Sequence, residues 1–263
     1  MHLKQVPAKE GYQWFRQGLT IFRRNPAGML LTFFSYLLVV GLLSAMPLVG
    51  HLLTMLLVPA VSVGFMAACR DVLLGKRIGP LTLLSGLREH GALARRRLLW
   101  MGLVYLVCST VVLAVAAAIN SDILADVLPV DAPTGKEGEL PSMWPIVLFM
   151  LLMIPVGMLF WFAPVLSAWH DTGVRQAIYI SWLAVWRNRA AFVVYGLLWL
   201  ALMLVVSLAV AILFRLLGGA TLPTLLMIPF SLVLTTMLFC SFYATYLGCF
   251  EGPEMDGFPN VPA

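Results

Sequence analysis

Six long apolar stretches punctuate the chain: Ala27 to Ala45, Leu52 to Cys69, Leu98 to Ile119, Trp144 to Trp169, Ala190 to Phe214 and Leu222 to Phe250. A helix rises about 1.5 Å per residue, so about 20 apolar residues cross a bilayer. The pattern predicts an all-α fold, a polytopic bundle of about six transmembrane helices. The last stretch is long enough to tilt or to leave its end at the interface. Pro47 and Gly50 predict a tight turn between the first two spans.

The polar segments carry a different periodicity. Before the first span, Tyr12, Phe15, Leu19 and Phe22 recur at helical spacing within 8–24, with Gln13, Arg16, Arg23 and Arg24 off that stripe. This predicts an amphipathic helix in the membrane surface. A second element precedes span three. It opens with Gly79-Pro80, a helix-start signal, and aligns Leu84, Leu87 and Gly91. The third precedes span five over 171–186, with Asp171 as its N-cap and a stripe of Val174, Ala177, Ile178, Ser181, Trp182 and Val185.

The order of surface helix, span, turn and span suggests a three-hairpin internal repeat. Arg24-Asn25 and Arg187-Asn188 both precede a span, where Asn can cap the next helix, and Pro26 suits a first turn. Each second span contains proline: Pro59, then Pro155 with Pro164, then Pro229. For packing, Ala60, Gly64 and Ala68 form a small-xxx-small face that permits close helix approach. Hydroxyls at Ser231, Thr235, Thr236, Ser241 and Thr245 read as interhelical bonding groups, or as the lining of a polar path.

Composition strengthens the membrane reading. The 263 residues are 61% hydrophobic and only 11% charged, too few charges to cover a soluble surface of that size. The single membrane domain takes up 1–263, with the amphipathic N-terminal helix in 1–26, an acidic periplasmic loop at 120–143 and a cytoplasmic tail at 251–263. That loop reads as a solvated connector or a partner-binding segment. Of the 17 Lys and Arg, all but Lys136 and Arg215 fall in segments that alternate onto one side. By the positive-inside rule that side, with both termini, is cytoplasmic. The net charge of +5 is explained by this collar, and no motif points to nucleic acid.

Reactive chemistry is sparse. The six stretches contain no Asp, Glu, Lys, Arg or His, which argues against a proton-coupled carrier. Pathways built from carbonyls at the proline breaks stay open. No P-loop, H-E-x-x-H or G-x-S-x-G occurs. Cys69, Cys108, Cys240 and Cys249 lack ligand spacing and read as apolar fillers. His170-Asp171 is the pair with most chemical potential, and Arg70-Asp71 reads as an interface pair. Trp14, Trp100, Trp144, Trp169, Trp182, Trp186 and Tyr246 fit an aromatic belt. No catalytic, cofactor-binding or metal residue is assigned.

The opening Gly11-Tyr12-Gln13-Trp14-Phe15-Arg16-Gln17-Gly18, followed by Ile21-Phe22-Arg23-Arg24-Asn25-Pro26, resembles the start of an uncharacterised family of proteobacterial six-span inner-membrane proteins. The hairpin plan is also distantly similar to the membrane domain found beside glycerophosphodiester phosphodiesterases, without any catalytic part of that enzyme. The resemblance implies an inner-membrane location and transfers no site residues.

Two functions fit. One is a non-enzymatic scaffold or accessory protein contacting the anionic inner leaflet through Arg16, Arg23, Arg24, Arg95, Arg96 and Arg97, with any protein partner unidentified. The other is a permease or exporter for a lipid-like or neutral solute.

Overall fold

The computed structural model describes residues 2–46, 49–119, 144–217 and 222–251. The expected turn at Pro47, the acidic loop 120–143 and the tail beyond Glu251 lie outside the described residues. Among the described residues, six helices are long and apolar enough to cross a membrane. Helix α1 (Glu10–Arg24) precedes α2 (Pro26–Ser44) and α3 (Val49–Leu73). A 3-10 turn (Pro80–Leu84) and the single turn α4 (Ser85–Arg88) lead into α5 (Gly91–Ile119). The fourth span is split into α6 (Trp144–Phe160) and α7 (Ala163–Trp169), then come α8 (Val174–Arg187), α9 (Arg189–Leu217) and α10 (Leu222–Cys249). Short strands β1 (His2–Leu3) and β2 (Phe250–Glu251) pair antiparallel. Residues 2–3 and 250–251 therefore lie on the same side of the bundle.

Local chemistry sets several of these boundaries. The Asn25 side chain accepts a hydrogen bond from the Gly28 amide at 3.0 Å, capping α2, and Pro26 occupies its first turn. In α1, Glu10 in the first turn and Arg23 and Arg24 in the last suit the helix dipole. Hydroxyls inside spans turn back onto their own helices: Thr32 donates to the Gly28 carbonyl at 2.8 Å and Thr236 to that of Leu232 at 2.7 Å.

The buried face of α1 differs from the expected stripe. Gly11, Trp14, Gly18, Ile21 and Phe22 are buried, whereas Tyr12 is half exposed. The stripe is rotated by about one residue because glycine, invisible to a hydrophobicity pattern, supplies the closest contacts. A Cβ on Gly18 would stand 2.3 Å from Ser241 Cβ of α10. Helix α1 consequently docks on α9 and α10 of the bundle. The second surface element also departs from its expected stripe. It buries Leu83, Ser85 and Gly86, while Leu84 is exposed. Helix α8 follows its expected face more closely, burying Ala177, Ser181, Ala184 and Val185.

Two of the three surface elements dock on the second span of the preceding hairpin, and the first docks on the second span of the last one. The turn at 80–84 packs on α3, and α8 packs on α6 and α7, while α1 packs on the last span, α10. Ala60, Gly64 and Ala68 are all buried. Gly64 faces Leu83 of the 3-10 turn, so its partner is a connecting segment rather than a spanning helix.

The core lies toward the end of the bundle that carries the strands. Trp14, Phe162, Tyr243 and Tyr246 are fully buried there, and Trp161 packs on Phe242 with centroids 4.6 Å apart. Trp14 and Tyr246 are thus core residues and not members of an interfacial belt; Trp100, Trp144 and Trp186 are the exposed indoles. Farther along the spans, Leu38, Val107, Val111, Leu204, Val205 and Leu208 are exposed. That much apolar surface requires lipid or protein to cover it.

Candidate functional site

Polar groups concentrate where the helix ends meet. Asn188 is 1% exposed and ties three segments together. Its Oδ1 accepts from the Val6 amide at 2.9 Å, and its Nδ2 donates to the carbonyls of Lys4 and Ala184, each at 3.0 Å. The expected capping role is therefore replaced by anchorage of the N-terminal segment, beside the strand pair. Asn25 keeps its cap, so the two Arg-Asn pairs do different work.

The split in the fourth span is built around a hydroxyl. In a continuous helix the Phe162 amide would donate to the Met158 carbonyl. Here it donates to Ser181 Oγ at 3.0 Å, and Ser181 Oγ donates to Met158 O at 2.9 Å. Pro164 explains the opening, since its ring opposes the carbonyl four residues earlier, that of Phe160. Two further hydroxyls bridge helices. Trp161 Nε1 donates to Thr245 Oγ1 at 3.1 Å, and Tyr195 OH pairs with Ser241 Oγ.

His170 and Asp171 diverge, as adjacent residues do. His170 Nε2 hydrogen-bonds the Tyr246 hydroxyl. Asp171, with φ of 52°, forms an ion pair with Arg97, whose Nη1 also donates to the Asp171 carbonyl at 2.8 Å. The N-cap position of α8 is Gly173, without a side-chain cap. Asp171 is thus committed to an ion pair instead of the expected cap, because α5 brings Arg97 against the loop. Among the described residues no group of three His, Cys, Asp or Glu could hold a metal ion.

The candidate lipid-contact arginines are not equivalent. Arg16, Arg23, Arg24, Arg95 and Arg96 are exposed, and Arg97 is half-buried against Asp171. Arg24 Nη1 reaches the Leu73 carbonyl at 3.5 Å, linking the ends of α1 and α3. Arg70 pairs with Asp71 at 3.2 Å and lies over the Trp169 ring at 5.3 Å. The cations form a collar of separate positions at helix ends, not one convergent pocket.

These features define a multi-pass, all-helical membrane protein whose polar contacts gather at one end. Residues 12–250 match the family model described as "Domain of unknown function (DUF7847)", and the chain belongs to that family. A protein of Burkholderia thailandensis, named a "Probable inner membrane protein", is 44% identical over 270 residues, spanning 100% of this chain and 98% of that relative. No solved structure matches the chain. With six apolar helices and this relative, the chain is a multi-pass inner-membrane protein.

Proposed function

We propose that this chain is a non-enzymatic membrane scaffold or accessory protein whose basic collar contacts anionic lipid. The observation that carries this reading is the pairing of a core filled by aromatic rings with exposed arginines at the helix ends. Filled interiors suit a platform, and each Lys or Arg near an anionic surface contributes about 1 kcal/mol. Mass spectrometry of lipids retained after purification from native membrane should find anionic phospholipid enriched over the bulk membrane. A retained pool with bulk composition would sink the reading.

A second reading, a permease for a lipid-like or neutral solute, is favoured by one feature. A cleft of about 140 Å³ between α9 and α10 is lined by Ser207, Ser231 and Thr235 as well as apolar residues. Solute flux in proteoliposomes that stops on Ser207→Leu would favour it over the scaffold.

Both termini are taken as cytoplasmic, on the strength of the Lys/Arg asymmetry, and the strand pair supports an even span count. A periplasm-active reporter inserted within 134–140 should be active, and a cytoplasm-active reporter after 263 should be active too. Activity of the periplasmic reporter at both sites would overturn that orientation. The three-hairpin repeat, and its kinship with the membrane domain beside glycerophosphodiester phosphodiesterases, belong to the same reading. The docking of each surface element on the second span of a hairpin supports the repeat.

A further inference from the structure

Trp100 stands between two apolar clefts, each with arginine at its edge. One cleft, of about 530 Å³, runs between α3 and α5 and is lined by Leu56, Ala92, Leu99 and Leu103 with Arg95 and Arg96. The other, of about 400 Å³, lies between α5 and α8 and is lined by Val104, Val174 and Ile178 with Arg175. Trp100 is 54% exposed and forms a wall of both. We infer that these clefts together form a binding site for one anionic phospholipid, with acyl chains on either side of the Trp100 indole and the phosphate at Arg95 and Arg96.

Charge and shape select that occupant. Arg97 is committed to Asp171, but among the described residues Arg95, Arg96 and Arg175 have no ion pair. Three unpaired guanidinium groups beside apolar clefts call for an anion attached to hydrocarbon. Arg95, Leu99 and Leu103 follow one another at helical spacing, so a headgroup at the arginine leads its chain onto leucines. The small Ala92 side chain leaves room at the entrance. Guanidinium groups bind phosphate oxygens in a fork geometry, and an indole ring suits the level of the headgroups. A generic electrostatic collar would need neither the clefts nor the indole.

This inference rests on the lipid-collar reading but can fail without it. The full chain in mild detergent is titrated with brominated phosphatidylglycerol or brominated phosphatidylcholine. Bromine quenches a neighbouring indole, and the difference between the native protein and Trp100→Phe isolates Trp100. Phosphatidylglycerol should quench Trp100 at roughly a tenfold lower mole fraction than phosphatidylcholine. The double variant Arg95→Gln/Arg96→Gln should lose that preference, whereas Arg23→Gln/Arg24→Gln should keep it. Equal quenching by both lipids, with anionic lipid still enriched in the retained pool, would remove the site and leave the collar. Equal quenching with no enrichment would remove both. Loss of preference in the Arg23/Arg24 variant would also overturn the site, since general surface charge would then account for it.

Discussion

Gly64→Leu and Gly18→Leu should each lower the yield of folded protein sharply, while Gly41→Leu should be tolerated. A Cβ on Gly64 would stand 2.3 Å from the Leu83 carbonyl oxygen and 2.6 Å from its Cα. On Gly18 it would meet Ser241 at Cβ and at Cα, 2.3 and 2.7 Å away. Most of those atoms are backbone, and Ser241 Cβ is fixed directly to it, so no rotamer change relieves the contact. Overpacking typically costs about 1–3 kcal/mol, and a clash with backbone belongs at the upper end. Gly41 has nothing within 4 Å of its Cβ position, and its neighbours are exposed apolar side chains. Leucine there gives lipid another apolar surface. Fluorescence-detected size exclusion and a melting curve in detergent measure both effects. If all three variants behave alike, α1 and the 3-10 turn are not held by these close approaches.

The two glycines also mark what the sequence reveals and what it conceals. Spans are legible because a bilayer demands about 20 apolar residues and backbone groups satisfied within the helix. The expected Ala27 to Ala45 accordingly falls close to α2, and Ile119 ends α5 as expected, although that helix starts well before Leu98, at Gly91, and takes in Arg95, Arg96 and Arg97. Gly64 was readable as part of a small face, but its partner was not. The contact comes from a turn some twenty residues on, and small residues advertise proximity without naming the neighbour. Helix α1 is a stronger instance. Its tyrosine and phenylalanine spacing indicates an apolar stripe, yet the docked edge is formed by Gly11, Trp14, Gly18 and Ile21. Hydrophobicity scales give glycine no attraction, although its missing side chain lets a helix come nearest.

The polar contacts were less legible still. Asn25 and Asn188 share the same sequence context after arginine, and one caps a helix while the other holds the N-terminal segment that follows the first strand. What separates them is the arrival of Lys4 and Val6, more than 180 residues away in sequence, at Asn188. Asp171 has a capping sequence but lies beside Arg97 after folding. The clefts beside Trp100 arise from the spacing of α3, α5 and α8, and the apolar stripe of α5 alone does not predict them. Chemistry that depends on three elements converging cannot be seen along one.

Ser181→Ala should destabilise the bundle far more than Ser35→Ala, although both remove one hydroxyl. Ser35 is only partly buried and donates to the Leu31 carbonyl of its own helix, at 2.7 Å. Substitution there should fall within about 0.5 kcal/mol. Ser181 is fully buried and is inserted between the Phe162 amide and the Met158 carbonyl. Interhelical hydrogen bonds in membrane proteins average only about 0.6 kcal/mol because the separated groups find other partners. The Ser181 bridge differs, since it serves two backbone groups that Pro164 holds open and that apolar side chains surround. An unmet buried group costs about 1–3 kcal/mol, so a loss near 2 kcal/mol is expected. Unfolding in mixed detergent micelles measures the difference. If Ser181→Ala loses no more than Ser35→Ala, the Phe162 amide can reach Met158 directly, and the split in the fourth span is maintained by Pro164 without help from α8.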